Sequence, residues 1–398
     1  MNETTLVAIL FLCPLLDAGA MAFVLFFPWE KVIESETLEG KEPCITVPRL
    51  FLGLLAAGGV FVFKLPLLIV LGLDGFGLIH VTYLDLVVGA PSVGVAILIA
   101  SSRLGRPAPW IAATPTVRRL ALIAVLCMLG GVQSSLIEPA RLQLEQATVT
   151  VSPQRVGSRP LRVGVVADIQ TDAYGSYERR AVERLMAESP DLILMPGDFF
   201  QGSHRSFERE FDDIRQVLGR LKAPGGVFAV LGNTDLDEDR VRLMLSGSDI
   251  RLLRNEAVTV SIHDRQVTVA GVDTAWHGEG AAKLLADLES SPDDGDFRVV
   301  LSHYPDVIEK LPAGTRVDLV VAGHTHGGQI VLPGFGPPMT LSRVPRRIAA
   351  GGLHELDGRR IYVSRGLGME RAQAPRIRLF CPPEINILDL RTGPPRGH

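Results

Sequence analysis

Charge is scarce in this chain of 398 residues: Asp, Glu, Lys and Arg make up 21%, against 47% hydrophobic residues. So apolar a balance is unusual for a wholly soluble globule and points to lipid contact. A basic excess is also missing. The formal charge of −4 excludes a strongly basic nucleic-acid surface, and no nucleic-acid partner is expected. The four cysteines, Cys13, Cys44, Cys127 and Cys381, form no Cys-x-x-Cys pair. Their scatter excludes a disulfide scaffold and a thiolate zinc cluster.

What the sequence does hold is divided along its length. Four apolar runs, near 6–27, 50–73, 78–100 and 120–137, are each long enough to cross a bilayer. They predict an N-terminal domain, 1–138, of about four transmembrane helices, with the lipid bilayer as its partner. Arg103, Arg106, Arg118 and Arg119 follow the third run, and Lys31, Lys41 and Arg49 follow the first. Placing both loops in the cytoplasm leaves everything after residue 137 outside. The expectation is a multi-pass integral membrane protein of a bacterial-type cell membrane, with its second half extracytoplasmic. Asp17, Lys64, His80 and Asp85 interrupt the runs and are expected to snorkel or to pair locally.

Beyond residue 139 the character changes. Residues 139–160 read as a linker that includes a short strand at 147–151. Strands are predicted at 161–167, 191–195, 226–231, 298–301 and 318–321, with a hairpin at 258–262 and 266–270. Helical spacing appears at 177–189 and 207–221. Strands alternating with amphipathic helices predict a layered α/β domain over 161–390, followed by a flexible tail, 391–398.

Polar residues fall at the ends of these strands. Asp168 and Gln170 follow the first, Gly197-Asp198 the second, and Gly232-Asn233-Thr234-Asp235 the third. His303 ends the fourth, and Gly323-His324-Thr325-His326 the fifth. Loops at strand C-termini converge on the ligand crevice of an α/β sheet. Two Asp, one Asn and three His at one rim form a nitrogen and oxygen donor set, suited to Mn²⁺, Fe or Zn²⁺.

This series, with Gly323-His-Thr-His-Gly-Gly-Gln329, resembles the calcineurin-like metallophosphoesterases in order and approximate spacing. The extended last motif, together with Ser364-Arg-Gly-Leu-Gly368 and Pro383-Glu384-Ile385, is similar to the family's membrane-associated bacterial branch. The resemblance covers about 161–390. It implies a four-layer sandwich, two β-sheets flanked by helices, with two divalent metal ions as cofactors. It further implies that Asp168, Asp198 and His326 hold one ion and that Asp198, Asn233, His303 and His324 hold the other. Hydrolysis by hydroxide generated between the two ions would follow.

Two positions depart from the family pattern. Gln170 stands where the first motif usually has His, so an amide oxygen would take an imidazole's place as a metal ligand. Thr234 stands where the third motif usually has the His that assists the leaving group, and threonine is no acid near neutrality. His204 and His277 are candidate substitute acids, each with an exposed loop histidine as the alternative. Arg365 is a candidate phosphate contact with an ion pair as the alternative, and Asp235 joins Asp198 and Asn233 among the candidate catalytic residues. The leading expectation is a membrane-anchored phosphoesterase or pyrophosphatase acting on a phosphorylated, lipid-linked small molecule. A catalytically silenced metal- or phosphate-sensing module is the alternative.

Overall fold

The computed structural model describes residues 115–292 and 295–392 continuously, together with 5–10, 12–13, 15–16, 59, 62–64, 66–89 and 91. The chain divides into two compact units, 1–134 with 371–375, and 135–370 with 376–398.

In the first unit, helix α1, Gly75–Leu84, begins where the Asp74 carboxylate accepts the Gly77 N–H at 2.8 Å. The cap satisfies one of the orphan donors of the first turn. Helix α2, Pro115–Val132, is apolar, and the stretch Leu122–Ala140 has a mean hydropathy of 1.5. Among the described residues it is the one helix long and apolar enough to cross a membrane. Leu122, Ile123, Leu126 and Leu129 on it are exposed, an arrangement that suits lipid contact better than water. Much of the first three apolar runs, including Asp17, lies outside the described residues. Lys64 and Asp85 form a buried ion pair at 2.7 Å, while His80 Nδ1–H donates to the Gln373 carbonyl at 3.2 Å.

The second unit holds two six-stranded sheets. One contains β1 (Gln143–Val151), β2 (Leu161–Val165), β3 (Leu192–Met195), β4 (Val227–Ala229), β5 (Ile250–Leu252) and β12 (Glu384–Thr392), in the order β1-β12-β2-β3-β4-β5. The other contains β6 (Glu256–Ile262), β7 (Arg265–Val272), β8 (Phe297–Ser302), β9 (Leu319–Ala322), β10 (Gly352–Leu356) and β11 (Arg359–Val363), in the order β10-β11-β9-β8-β7-β6. The residues expected as a linker thus supply an edge strand, because β1 pairs in parallel with β12 along its length.

Burial explains the layering. Val163, Val165, Leu192 and Leu194 of the first sheet share a cluster with Val267, Val269, Val299 and Leu319 of the second. On the outer face of the first sheet lie α3 (Ser176–Ala187), α4 (His204–Leu218) and α5 (Glu238–Leu245). Leu185, Ile214 and Val241 of these helices pack with Ile193 and Ala229 of that sheet. Helix α6 (Glu279–Ser290) covers the second sheet through Leu284, Leu285 and Leu288. The result is helix, sheet, sheet, helix. Strands β2, β3 and β4 run parallel, as do β7, β8 and β9, so the polar strand ends of each set emerge together.

Candidate metal centre

Three loops of the first sheet and two of the second bring their polar residues to one buried point. Asp168 and Asp198 follow β2 and β3, and their loops are stitched together. Asp168 N–H donates to the Gly197 carbonyl at 3.1 Å and Gln170 N–H to the Asp198 carbonyl at 2.8 Å. Asn233 follows β4, His303 follows β8, and His324 and His326 follow β9. Asp168, Asp198 and His303 each offer a donor atom within 4.8 Å of the others.

Backbone conformation betrays how tightly this is drawn. Asp168, Gln170, Asp198, His324 and His326 all take positive φ, between 36° and 70°. Such values are uncommon for non-glycine residues and cluster at functional sites. Glycine makes the approach possible: a Cβ on Gly232 would lie 2.0 Å from Asp198 Oδ1, and one on Gly323 would lie 2.5 Å from Asp168 Oδ2.

The hydrogen bonds fix where lone pairs point. His303 Nδ1–H donates to the Pro196 carbonyl at 2.9 Å, so its Nε2 carries the lone pair. His324 Nε2–H donates to the Leu341 carbonyl at 3.3 Å, leaving the lone pair on Nδ1. These two nitrogens face each other at 3.1 Å, and each lies 2.7 Å from Asn233 Oδ1. Three acceptor atoms with no proton between them repel one another unless a cation joins them. Asp168 Oδ2 is buried without a hydrogen-bond partner, and neither ring nitrogen of His326 has a well-formed one. The residues present therefore fit divalent metal. Gln170 is fully buried and donates its amide N–H to Gln201 Oε1 at 3.0 Å, which leaves the amide oxygen as its donor atom toward a metal.

Electrostatics agree. Burial pushes the Asp198 carboxyl up to about 7. It also raises Asp168 well above the usual carboxylate range, with the Asp198 charge adding to the effect. Burial lowers His303 to about 4 and, helped by His303, His324 to about 3. His326 is lowered well below its ordinary value by burial and then by the Arg378 cation. The imidazoles are thus held neutral with lone pairs ready for a metal, whereas the buried carboxylates hold protons that a metal cation must displace.

The other expected residues have different surroundings. The Asp235 carboxylate accepts the backbone N–H groups of Asp198 at 2.8 Å, Phe199 at 3.1 Å and Gly232 at 2.9 Å. It holds the metal loops in place rather than facing a reacting atom. Thr234 supports Asp198 through its own N–H, at 2.8 Å from Oδ1. The Arg365 guanidinium is taken up by Glu145 and Glu384, the ion-pair alternative. His204 is exposed in the first turn of α4, 3.8 Å from Glu208. His277 is exposed and stacks edge-on with Trp276. The structure brings neither histidine into the cluster.

A family model for the calcineurin-like phosphoesterases matches residues 161–328. An uncharacterized metallophosphoesterase of Aquifex aeolicus is 32% identical over 221 residues, 54% of this chain and 76% of its own length. The chain belongs to the calcineurin-like phosphoesterase family. As a metallophosphoesterase it is a phosphoester-hydrolysing hydrolase. The phosphodiesterase YaeI of Escherichia coli K12 is 29% identical, covering 58% of this chain and 82% of that one. The UDP-2,3-diacylglucosamine pyrophosphatase LpxG of Chlamydia muridarum is 25% identical, covering 68% and 95%.

Several residues of the phosphoesterase were not evident from strand ends. A cavity of about 430 Å³ opens beside Asn233 and Thr234, lined further by Phe200, Gln201, Arg240, Met244 and Glu370. Glu370 is held there because its N–H donates to Gln329 Oε1 at 2.5 Å. Arg378, fully buried, donates to the carbonyls of Arg365, Gly366, Gly368 and Cys381. It thereby shapes the loop whose Gly368 N–H binds the Asp168 carbonyl at 2.7 Å. The Gly-rich stretch 364–368 marks this loop in the sequence, but a lone Glu or Arg beyond it carries no periodic signal.

Proposed function

We propose that this chain is a membrane-anchored, dinuclear metallophosphoesterase that cleaves a phosphodiester or pyrophosphate bond of a lipid-linked substrate. The observation that carries this reading is the convergence of Asn233 Oδ1, His303 Nε2 and His324 Nδ1 within 2.7 to 3.1 Å, beside buried Asp168, Asp198 and His326. Asp168, Gln170, Asp198 and His326 would hold one ion and Asp198, Asn233, His303 and His324 the other, with Asp198 shared. Two divalent cations so held supply an acidified water and withdraw charge from the phosphoryl oxygens.

The remaining work belongs to this chain's own groups. Asp235 fixes the Asp198 backbone, and Tyr304 lies against the His324 ring at 4.3 Å, limiting its rotation. Arg240, in the cavity wall, is the cation placed to receive a second phosphate or another anionic part of the substrate. Phe200, Leu236, Val241 and Met244 give that wall an apolar side, so an amphiphilic substrate suits it. With Thr234 unable to serve as a proton donor, Glu370, which lines this wall together with Asp235 and Asp237, is the carboxyl we assign to assist a poor leaving group. A phosphate leaving from a pyrophosphate needs less help than an alkoxide.

Membrane anchoring rests on Leu122–Ala140 and on the apolar runs before it. The LpxG likeness supports a lipid-linked pyrophosphate. A silenced sensor is the poorer reading, since every carboxylate, Asn and remaining His position of the donor set is present. The test compares the full chain, stripped and reloaded with Mn²⁺, Zn²⁺ or Fe²⁺, on a lipid-linked pyrophosphate and on a dialkyl phosphate. Faster metal-dependent cleavage of the pyrophosphate is expected; equal rates would remove the leaving-group argument.

A further inference from the structure

Apart from the Leu341 carbonyl at its end, the segment after the last histidine motif has no place in the chemistry above. Residues 330–341 fold into a compact projecting loop. Leu332 and Gly336 exchange backbone hydrogen bonds at 3.0 and 2.8 Å, and Phe335 N–H donates to the Leu332 carbonyl at 3.0 Å. That tight turn carries Phe335 at its tip. Val331 N–H donates to the Leu379 carbonyl at 2.9 Å, so Phe380 stands beside the loop.

The side chains borne here are those a protein normally hides. Leu332, Phe335, Met339, Leu341 and Phe380 are 42%, 58%, 42%, 57% and 59% exposed. Singly such residues mean little; five on one projecting loop and its neighbour form a patch that calls for a cover. Charge says which cover. From residue 319 to residue 354 the sequence contains no Asp or Glu, while Arg343, Arg346 and Arg347 follow the loop directly. All three are exposed. Arg346 stacks over the Phe335 ring at 4.9 Å, which places its cation at the base of the apolar tip. Asp306, the nearby acid, is turned inward, accepting from Ser342 Oγ at 2.9 Å and Arg343 N–H at 2.6 Å.

An apolar loop followed by three exposed arginines, one of them stacked on its Phe335, with no carboxylate in the same segment, has the chemistry of an interfacial membrane anchor. We infer that residues 332–341 of the phosphoesterase domain insert into the headgroup region of an anionic bilayer, with Arg343, Arg346 and Arg347 on the lipid phosphates. This contact is separate from any anchoring by the N-terminal unit and does not depend on which phosphoester is cleaved. Its position matters to the site, because the Leu341 carbonyl at the loop's end holds His324 at 3.3 Å. The metal centre would therefore face the leaflet.

Hydrogen exchange read by mass spectrometry tests the assignment on the full, metal-loaded chain in nanodiscs. Phosphatidylcholine alone is compared with phosphatidylcholine containing phosphatidylglycerol. Amides of 332–341 are expected to exchange at least about threefold more slowly in the anionic discs, with roughly a fivefold change in surface affinity per arginine. The R343E/R346E/R347E chain is expected to lose that protection, and Phe335→Ser with Met339→Ser to weaken it. Hydrolysis of bis-p-nitrophenyl phosphate in detergent should be unchanged in both, which reports that they fold. Exchange that is the same in both lipids overturns the inference. So does protection that survives the charge reversal, which would mean that protein rather than anionic lipid covers the loop.

Discussion

His303 shows how a ring is prepared for a metal: the Pro196 carbonyl accepts its Nδ1–H, and burial keeps the ring neutral, so its lone pair has one direction left. The pH dependence follows with its sign. In metal-stripped protein the Asp198 carboxyl sits near 7, above about 3.9 in an unfolded chain. The native state then binds the extra proton, and ionising Asp198 costs stability as pH rises from about 4 through 7. Metal reverses this by displacing the proton. Metal affinity, followed by calorimetry, should therefore rise by about tenfold per pH unit and carboxylate proton below pH 7; the imidazoles, lowered to about 4 and 3, should add little above pH 6. Replacing Thr234→His should raise turnover of an alkyl phosphodiester by about tenfold or more and leave the aryl ester nearly unchanged. Glu370→Gln should slow the alkyl ester selectively. The candidate ligand positions stood out in the sequence because each follows the end of an apolar strand. Glu370, Gln201 and Arg378 did not, since tertiary contacts alone give them their roles.

At the scale of elements, the strands that carry the site were read from sequence within a few residues, whereas β12, Glu384–Thr392, was not read as a strand although it lies between β1 and β2. Strand β1 was underread because its first half, from Gln143, lacks a continuous apolar signal and is defined by its pairing with β12. Strands β5, β10 and β11 are short and leave several side chains partly exposed, so burial gave them little pattern. The loop after β4 makes a sharper prediction. Asp235→Ala leaves three buried N–H groups without an acceptor, at about 1–3 kcal/mol each. It should lower Tm in detergent markedly and reduce metal content, whereas Asp235→Asn, which keeps one acceptor oxygen, should lose less. Gly232→Ala, whose Cβ would meet Asp198 Oδ1 at 2.0 Å, should abolish turnover while leaving most of the fold intact by circular dichroism.

In the whole molecule an apolar N-terminal stretch precedes the phosphoesterase domain. Four spans were expected and one long apolar helix is described, Leu122–Ala140. On the proposed anchoring through this helix, the full chain should stay in the membrane fraction after a carbonate wash. Release by the wash would remove the anchoring claim. The resemblance in the histidine motifs identified the domain's chemistry, and the sandwich gave it a physical basis, since two parallel strand sets aim their ends at one point.

The most direct measurement is metal titration of the stripped full chain against turnover of bis-p-nitrophenyl phosphate. The account predicts activity that rises to a maximum at two equivalents of divalent metal and falls on the order of a thousandfold in Asp198→Ala, because that carboxylate would be shared by both ions and its loss would cost several kcal/mol. Full activity with one equivalent, or an Asp198→Ala chain that still turns over, would contradict it.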